Sequence, residues 1–378
     1  MNFKKSDTIV PINIGLTQGL ASAFFTVVAA RLGATPILIG IISSSPYLGN
    51  IFAPLWSYIT EKIKINKELA IAIFLSSLIL SILAFIKTPI AFVFFVVIYF
   101  ILFGAWDVLY PAFIDLIYSE LAVGIIARFD ELRSISYTLI VALSGLIMGF
   151  GGYKTTFLMG AVALIISGFS VLKSNPEATT DNLEKTDILT IIREDLNILK
   201  LVSIFMVAGT GMLMMLPAIP ILEVNILKLT NAQIGILLAV NSFAYIIGME
   251  IWPRYVKSIS RLYIAFSIGI IAIIGMALIY AFTPNYFILI IANIFCGIGE
   301  SSISFFWQTF SISNLDYRTE DLSSLHLFTC GIRGIYAPPL GALIISVLSV
   351  KMDFLLSIAF VLAALLGFLF KGRSIFAE

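Results

Sequence analysis

Three ionisable side chains lie inside long apolar stretches of this sequence, namely Asp107, Glu300 and Arg333. On insertion scales an ionisable residue at bilayer depth costs about 2.5–3.5 kcal/mol, so it usually faces the interior of a helix bundle and marks a function. Burial favours the neutral form of a carboxyl group, whereas a nearby arginine favours the charged form. An acid that moves between these settings binds and releases protons. We predict that these three residues couple proton binding to a conformational change.

A structural role for two of these residues is the alternative. Glu300 and Arg333 are expected at the same depth, about 16 Å from the cytoplasmic ends of two neighbouring antiparallel helices. A buried arginine without a partner is far costlier than a paired one. The sequence therefore allows a Glu300–Arg333 ion pair that joins the two helices without any part in proton transfer.

Polar and aromatic side chains recur along the same stretches. Asn293, Glu300 and Trp307 are seven residues apart, which places them on one helix face. Such side chains are typical of a small-molecule pocket. The predicted substrate-binding residues are Gln18, Trp106, Tyr110, Asn293, Ser304, Trp307 and Tyr336. Hydrogen bonding between helices is the alternative for each of them. We expect His326 at an interface near the cytoplasmic end and Glu223 at a wet outer helix end.

The composition indicates what surrounds these residues. Of the 378 residues, 60% are hydrophobic and 12% are charged, whereas a soluble domain has about 25% charged residues. These values exclude a soluble enzyme and a disordered chain. The net charge of +1 excludes a strongly basic nucleic-acid binder. With 2 cysteines and 1 histidine, a disulfide framework and a multi-histidine metal site are excluded too. No cofactor is predicted, and no phosphate-binding loop for ATP is present.

Long apolar runs separated by short polar segments predict twelve transmembrane helices, because a spanning helix needs roughly 20 apolar residues. The runs do not alternate between polar and apolar residues, which excludes a membrane barrel. The predicted fold class is an all-α integral membrane protein. Its predicted helices are 9–30, 36–58, 69–86, 90–112, 132–151, 155–172, 200–222, 232–252, 262–282, 286–308, 323–348 and 352–370.

The distribution of basic residues predicts the orientation. Most of the 23 Lys and Arg residues fall in the loops that are cytoplasmic if the N-terminus is inside. Cytoplasmic loops carry an excess of these residues. We therefore predict a multi-pass protein of the cell (plasma) membrane with both termini in the cytoplasm.

A polar segment in the middle of the chain predicts the domain organisation. An N-terminal six-helix bundle is predicted at 1–173 and a C-terminal six-helix bundle at 200–378. Between them, 174–199 is predicted to be a cytoplasmic linker. Apolar residues at helical spacing in its second part indicate an amphipathic helix at the membrane surface.

The two halves of the chain share short motifs in the same order, which indicates an internal repeat. The matching segments are Leu32–Ile41 with Leu227–Ile236, Gly104–Asp107 with Gly297–Glu300, and Arg128–Leu132 with Arg318–Leu322. Their offsets are nearly constant and close to half of the chain length. Because each half has an even number of predicted helices, the repeat is parallel.

The chain resembles transporters of the major facilitator superfamily over essentially its whole length. Pro54-Leu-Trp-Ser57-Tyr-Ile-Thr60-Glu61-Lys62 is similar to the family's signature between helices 2 and 3, with Glu61-Lys62 at the Asp-Arg pair. Tyr110-Pro-Ala-Phe-Ile-Asp115 resembles the end of the family's helix 4, and Pro338-Pro-Leu-Gly341 resembles its helix 11. Gly145-Leu-Ile-Met-Gly149-Phe-Gly151-Gly152 keeps the glycines of the family's exporters but has Leu146 at the proline position.

This resemblance implies two pseudo-symmetric six-helix bundles around a central cavity, with rocker-switch alternating access. It implies that charge contacts at the cytoplasmic edges gate the movement, through Glu61, Lys62, Arg128 and Asp130. An ordinary solvated surface is the alternative for these four residues. The implied function is secondary active transport of a small organic solute, coupled to protons. The expected partners are the solute, protons and the lipid bilayer, with no nucleic acid, and the expected state is a monomer.

The sequence leaves alternatives for the direction of transport and for the class of protein. We expect efflux, because aromatic residues and low polarity suit amphipathic compounds. A proton-coupled importer of a sugar or an organic anion is the alternative, and Arg333 could then be a ligand for the anion. A non-transport membrane sensor or a lipid-moving protein is the alternative of another class. An enzyme is not predicted, because the sequence has no His-rich cluster and no Gly-x-Ser-x-Gly motif.

Overall fold

The computed structural model of the chain describes residues 5–52, 56, 63–118, 122–174, 195–256, 259–282, 285–313 and 319–375. These described residues are helical and include no strand. The α-helices are α1 (Lys5–Leu20), α2 (Phe25–Arg31), α3 (Pro36–Ile51), α4 (Ile65–Leu83), α5 (Pro89–Tyr118), α6 (Ala122–Lys173), α7 (Leu196–Met214), α8 (Ala218–Ile221), α9 (Asn231–Tyr255), α10 (Ile259–Phe282), α11 (Tyr286–Ser313), α12 (Thr319–Val347) and α13 (Val350–Ile375). A 3₁₀-helix (Ser22–Phe24) precedes α2, and a π-helix (Leu222–Ile226) follows α8.

The described helices have the length and composition of membrane spans. Ten of them are long and apolar enough to cross a bilayer, and a shorter apolar helix covers Pro36–Gly49. Many large apolar side chains on their surfaces are exposed, including Phe150, Phe94 and Leu139. Contiguous exposed apolar surface of this kind is costly in water, and it suits a surface that faces lipid.

Helix α6 is folded into two arms at Gly152. This residue has φ 66° and ψ 176°, a conformation that is essentially restricted to glycine. Ser136 in the first arm donates a hydrogen bond to the carbonyl of Ile12, while Gly160 in the second arm accepts one from Thr17. On a straight helix Ser136 and Gly160 would lie about 36 Å apart. Because both contact the same part of α1, the arms lie side by side, in agreement with the predicted break between residues 151 and 155.

The chain forms two compact units. The first lies within Met1–Asn182 and Lys228–Ala239, and the second within Leu183–Leu227 and Val240–Glu378. Aromatic rings fill the core of each unit. In the first, Phe25 packs edge-on against Phe157 at 5.4 Å between ring centres. In the second, Phe266 packs against Phe205 at 4.9 Å and against Phe368 at 4.4 Å.

The internal repeat is visible in the backbone. Gly33 and Lys228 occupy equivalent positions of the repeated motif, and both have positive φ, at 83° and 53°. Lys228 is the one non-glycine residue with positive φ in the described part of the chain. Each precedes the start of a helix by three residues, α3 at Pro36 and α9 at Asn231. The two corners also touch, because Arg31 donates a hydrogen bond to the carbonyl of Leu229 at 2.6 Å.

The start of α7 differs from the predicted boundary at residue 200. The helix begins at Leu196, because the Asp195 side chain caps it by accepting hydrogen bonds from the backbone amides of Asn197 and Ile198. Residues 196–199 therefore belong to α7, whereas the rest of the predicted linker helix lies outside the described residues.

Candidate functional site

Arg333 lies in the middle of α12 and is held against α7. Its guanidinium donates one hydrogen bond to the carbonyl of Phe205 at 2.7 Å and another to the sulfur of Cys330 at 2.8 Å. Only 8% of its surface is exposed. Gly209 makes this position possible, because a side-chain carbon at Gly209 would lie 2.4 Å from Nε of Arg333. The site is thus an arginine that is pressed onto the backbone of a neighbouring helix.

The predicted Glu300–Arg333 ion pair is wrong. Among the described residues, the ion pairs join Arg128, Arg133 and Arg254 to acids on their own helices, and Arg333 takes part in none. Glu300 instead lies near the side chains of Asn241 and Cys296, which are uncharged. Spacing along a helix predicts the depth of a residue, but a pair also requires that both side chains point to the same side. Here α12 directs Arg333 towards α7.

An aromatic pair lies next to Arg333. The rings of Trp307 and His326 stack with 4.4 Å between centres and 20° between planes. Phe205 packs edge-on against both rings. The Sγ atom of Cys330 lies 3.4 Å from Nε2 of His326. Within the described residues, Nε1 of Trp307 and Nδ1 of His326 are buried and have no hydrogen-bond partner. The sequence predicted Trp307 as a substrate ligand, but it did not predict that His326 and Cys330 would adjoin it.

Two further predicted ligands lie on the same helices. Tyr336 is 41% exposed, and its hydroxyl lies 2.6 Å from that of Thr210. Since the Thr210 hydroxyl donates its hydrogen to the carbonyl of Met206, Tyr336 is the donor in this pair. Ser304 is half-buried on α11. Both residues stay predictions as substrate ligands.

Asn293 takes part in a buried network that the sequence did not predict. Its amide nitrogen donates to the hydroxyl of Tyr280 at 3.0 Å, and this hydroxyl donates to the carboxylate of Glu223 at 3.1 Å. Glu223 is 4% exposed and lies in the π-helix, so the expectation that it is wet is wrong. Position near a helix end predicted exposure, whereas the fold covers this end with α10. Tyr280 lies outside the motifs found in the sequence, so nothing there signalled its role in this network.

Asp353 is a second buried acid that the sequence did not single out. It lies near the start of α13, is fully buried, and has no partner for either carboxylate oxygen in the described part of the chain. A side-chain carbon at Gly341 would lie 2.9 Å from its Oδ1 atom. No group of three or more His, Cys, Asp or Glu side chains in the described ranges is arranged to hold a metal ion.

In the first unit, the predicted residues separate into an exposed acid and buried rings. Asp107 is exposed on α5 and lies within electrostatic range of Arg133 and Asp130. Its neighbours Trp106 and Tyr110 are buried and stack on each other at 3.7 Å between ring centres. These two rings form part of the packed core in this conformation. Gln18 on α1 is half-buried. Their roles as substrate ligands stay predictions.

The predicted gating residues that the structure describes form local ion pairs. Arg128 pairs with Glu131, and Asp130 pairs with Arg133 at 3.1 Å, in both cases one turn along α6. Exposed pairs of this kind contribute about 0–1 kcal/mol to stability. Glu61 and Lys62 lie outside the described residues. The gating role of all four residues stays a prediction.

Comparisons with known proteins agree with this arrangement of helices. The family model of the Major Facilitator Superfamily matches residues 9–335. No curated protein matches the sequence.

Several solved structures share the fold. The nucleoside transporter NupG has 15% sequence identity and a TM-score of 0.78, with 100% of both chains covered. A POT family transporter in complex with 5-aminolevulinic acid has 13% identity and a TM-score of 0.73, covering 98% of this chain and 96% of that one. A bacterial homolog of the human lysosomal transporter Spinster has 12% identity and a TM-score of 0.68, covering 97% and 96%. At these identities the likeness shows the fold alone.

Proposed function

Because this chain belongs to the major facilitator superfamily and is a multi-pass membrane protein, we propose that it is a secondary active transporter of a small organic solute. The solute would cross the membrane by rocker-switch alternating access of two six-helix bundles. The observation that carries the proposal is the family match, which covers most of both halves of the chain.

Twelve membrane crossings form part of the proposal. Ten helices are long and apolar enough to span. The shorter apolar helix Pro36–Gly49 is the proposed eleventh crossing, and the second arm of α6 is the twelfth. This number puts both termini on one side, and the distribution of Lys and Arg residues supports the cytoplasm of a cell as that side. We propose that the transporter acts as a monomer in the plasma membrane.

Protons are the proposed driving ion. Glu300 lies within a candidate span, and the neighbouring side chains of Asn241 and Cys296 are uncharged. Uncharged surroundings favour the neutral form of a carboxyl group. Asp107, at the equivalent position of the repeat, lies near the charged pair of Arg133 and Asp130. We propose that the two acids change their protonation when the bundles move.

Efflux is the proposed direction, on the ground of the many aromatic residues and the low polarity of the chain. Import of an organic anion or a sugar is the second candidate, and the specific observation in its favour is Arg333, a cation without an acidic partner in the described part of the chain. Nucleosides and 5-aminolevulinic acid, which two of the structurally similar transporters are described as carrying or binding, belong in the first panel of solutes.

Transport in proteoliposomes tests the proposal. Purified protein is reconstituted, an inside-acid or inside-alkaline gradient is imposed, and uptake of each labelled solute is followed with and without the gradient. We expect a solute whose movement follows the proton gradient. Asp107→Asn and Glu300→Gln should each lower gradient-driven transport about tenfold or more, while exchange of solute without a gradient persists.

The control variant is Glu250→Gln, which removes an exposed acid that pairs with Arg254. It should transport like the unchanged protein. If both Asp107→Asn and Glu300→Gln keep the pH dependence of the unchanged protein, proton coupling through these acids is excluded. If solutes bind but none crosses the vesicle membrane, the protein is a sensor and not a transporter. Movement of labelled phospholipid between leaflets without solute flux would indicate a lipid-moving protein.

A further inference from the structure

We propose that the second unit contains a subsite for the carboxylate group of a small organic acid, formed by Arg333, His326 and Trp307. The proposal rests on the proposed transport function and deepens it by naming the substrate class. It is carried by a buried arginine without a counter-charge and by two neighbouring ring nitrogens without hydrogen-bond partners in the described part of the chain.

The charge of Arg333 has no counter-charge. Its two hydrogen bonds go to a backbone carbonyl and a thiol, and no acid pairs with it in the described part of the chain. A buried cation without an anion is costly. The guanidinium has five N–H groups, and these two bonds use only two of them. Arg333 therefore retains both the charge and the donors to bind an anion.

The Cys330 thiol is placed to donate a hydrogen bond to His326. Because Nη2 of Arg333 donates to Sγ of Cys330, the thiol hydrogen is available for Nε2 of His326, 3.4 Å away. A neutral imidazole has one acceptor and one donor nitrogen. With Nε2 as the acceptor, the hydrogen lies on Nδ1, which is buried without a partner among the described residues. In this tautomer His326 has an unused N–H donor at Nδ1.

Trp307 adds a third donor. An indole N–H can only donate, and Nε1 of Trp307 is buried without an acceptor in the described ranges. Its ring stacks on His326 at 4.4 Å between centres. Buried polar groups are normally satisfied. Nε1 of Trp307 and Nδ1 of His326 have no partner in the described part of the chain and lie beside an arginine without a counter-charge, so an acceptor-rich partner is missing.

A carboxylate matches this cluster. It has no donor when ionised, it offers two oxygens to several donors at once, and it pairs with a guanidinium through charge-assisted bonds. The rings of Phe205 and Trp307 give the rest of the ligand an apolar surface. The nearby Tyr336 hydroxyl is already bonded to Thr210, so it does not compete for the anion. The ligand class is thus a small organic acid with an apolar body.

Modification of Cys330 tests the subsite without knowledge of the natural ligand. The variant Cys296→Ser leaves Cys330 as the single thiol, because the chain has 2 cysteines. Its rates with an anionic and a cationic methanethiosulfonate reagent of equal size are measured and divided by the rates with free cysteine. We expect the anionic reagent to be favoured at least tenfold, and Arg333→Gln to remove this preference.

Ligand binding is the second test. The melting temperature of the detergent-purified protein is titrated with matched pairs of carboxylates and amides, namely benzoate with benzamide and hexanoate with hexanamide. Stabilisation by the acid alone is expected, since a ligand that binds only the folded state raises the melting temperature. Trp307→Phe keeps the ring and removes the N–H, and it should weaken carboxylate binding about tenfold, the loss expected for one charge-assisted hydrogen bond.

Trp252→Phe is the matched control, because Nε1 of Trp252 donates to Ser301 within the second unit and belongs to no donor cluster. It should leave carboxylate binding unchanged. Equal stabilisation by acid and amide, or a cationic preference at Cys330, overturns the subsite. Gradient-driven flux restricted to neutral or cationic solutes overturns the subsite and leaves the transport function intact. Carboxylate binding with the expected loss in Trp307→Phe, but no flux, overturns transport and leaves the subsite intact.

Discussion

The two units differ in whether the charge of a buried or half-buried arginine is compensated. In the first unit Arg133 bonds to the carboxylate of Asp130 at 3.1 Å, one helical turn away. In the second unit Arg333 bonds to the carbonyl of Phe205 and the thiol of Cys330, neither of which carries a compensating charge. A carboxylate neutralises an arginine, whereas a neutral acceptor only satisfies its N–H groups. The first unit therefore balances its charge locally, and the second keeps a charge that a ligand can use.

The largest expected effect comes from removing the two arginines in turn. Arg333→Gln should weaken binding of a carboxylate such as benzoate about a hundredfold, because the charge and more than one charge-assisted bond are lost. Arg133→Gln should change it by less than about threefold, because Asp130 already neutralises that charge. Titration by isothermal calorimetry measures both. Similar losses in the two variants would mean that the units do not differ in this respect.

A pair of glycines gives the next largest effect. Gly209→Ala would place a carbon 2.4 Å from Nε of Arg333 and push the guanidinium away from Phe205. We expect carboxylate binding to weaken about tenfold, which corresponds to one charge-assisted hydrogen bond. In the first unit, Gly160→Ala meets its nearest atom, a methyl group of Leu80, at 3.2 Å, and binding should not change. Unaltered binding in Gly209→Ala would show that Arg333 need not lie on α7.

Replacing one tyrosine in each unit compares how much the polar networks of the two units contribute to the free energy of unfolding. Tyr280→Phe removes the donor to Glu223 and an acceptor for Asn293, both buried, and should cost about 2–3 kcal/mol. Tyr153→Phe removes one bond to the carbonyl of Ile86 from a half-buried side chain, and should cost about 1 kcal/mol. Thermal unfolding in detergent ranks the two variants. A larger loss for Tyr153→Phe would contradict the contribution assigned to the network around Glu223.

The smallest expected effect is at the exposed charges of α6. Arg128→Ala breaks the pair with Glu131, in which both side chains are about half exposed. Such pairs are worth about 0–1 kcal/mol, so the melting temperature should move by no more than a few degrees. Transport by the same variant provides a separate measurement, because a clear loss of rate with unchanged stability would support the predicted gating role.

The sequence predicted the elements better than their contacts. Apolar runs locate helices because the length of a span is fixed by the bilayer, and the predicted break between residues 151 and 155 coincides with Gly152. Helix ends were less predictable, since they depend on individual side chains such as Asp195, which moves the start of α7 to Leu196. The repeat was predicted from short motifs. The motifs did not predict that Gly33 and Lys228, at equivalent positions, both have positive φ.

The candidate site was predicted residue by residue but not as a group. Spacing of seven placed Trp307 on a polar face, and an apolar context marked Arg333. The partner of Arg333 is the backbone carbonyl of Phe205 on α7. Every residue has a backbone carbonyl, so the types of the side chains could not indicate which one Arg333 contacts. The neighbours His326 and Cys330 follow from the helix period, at i−7 and i−3 from Arg333.

The corner at Gly152 has a consequence for how the polypeptide enters the bilayer. Straightened, residues 128–173 would form a rod about 69 Å long, more than twice the thickness of the hydrocarbon core, which is about 30 Å. Such a rod could cross the membrane only once, and every later helix would then cross it in the opposite orientation. With the corner at Gly152, the same residues form two arms that can each cross the bilayer, so we expect this one backbone conformation to set the side of the membrane on which the downstream loops lie.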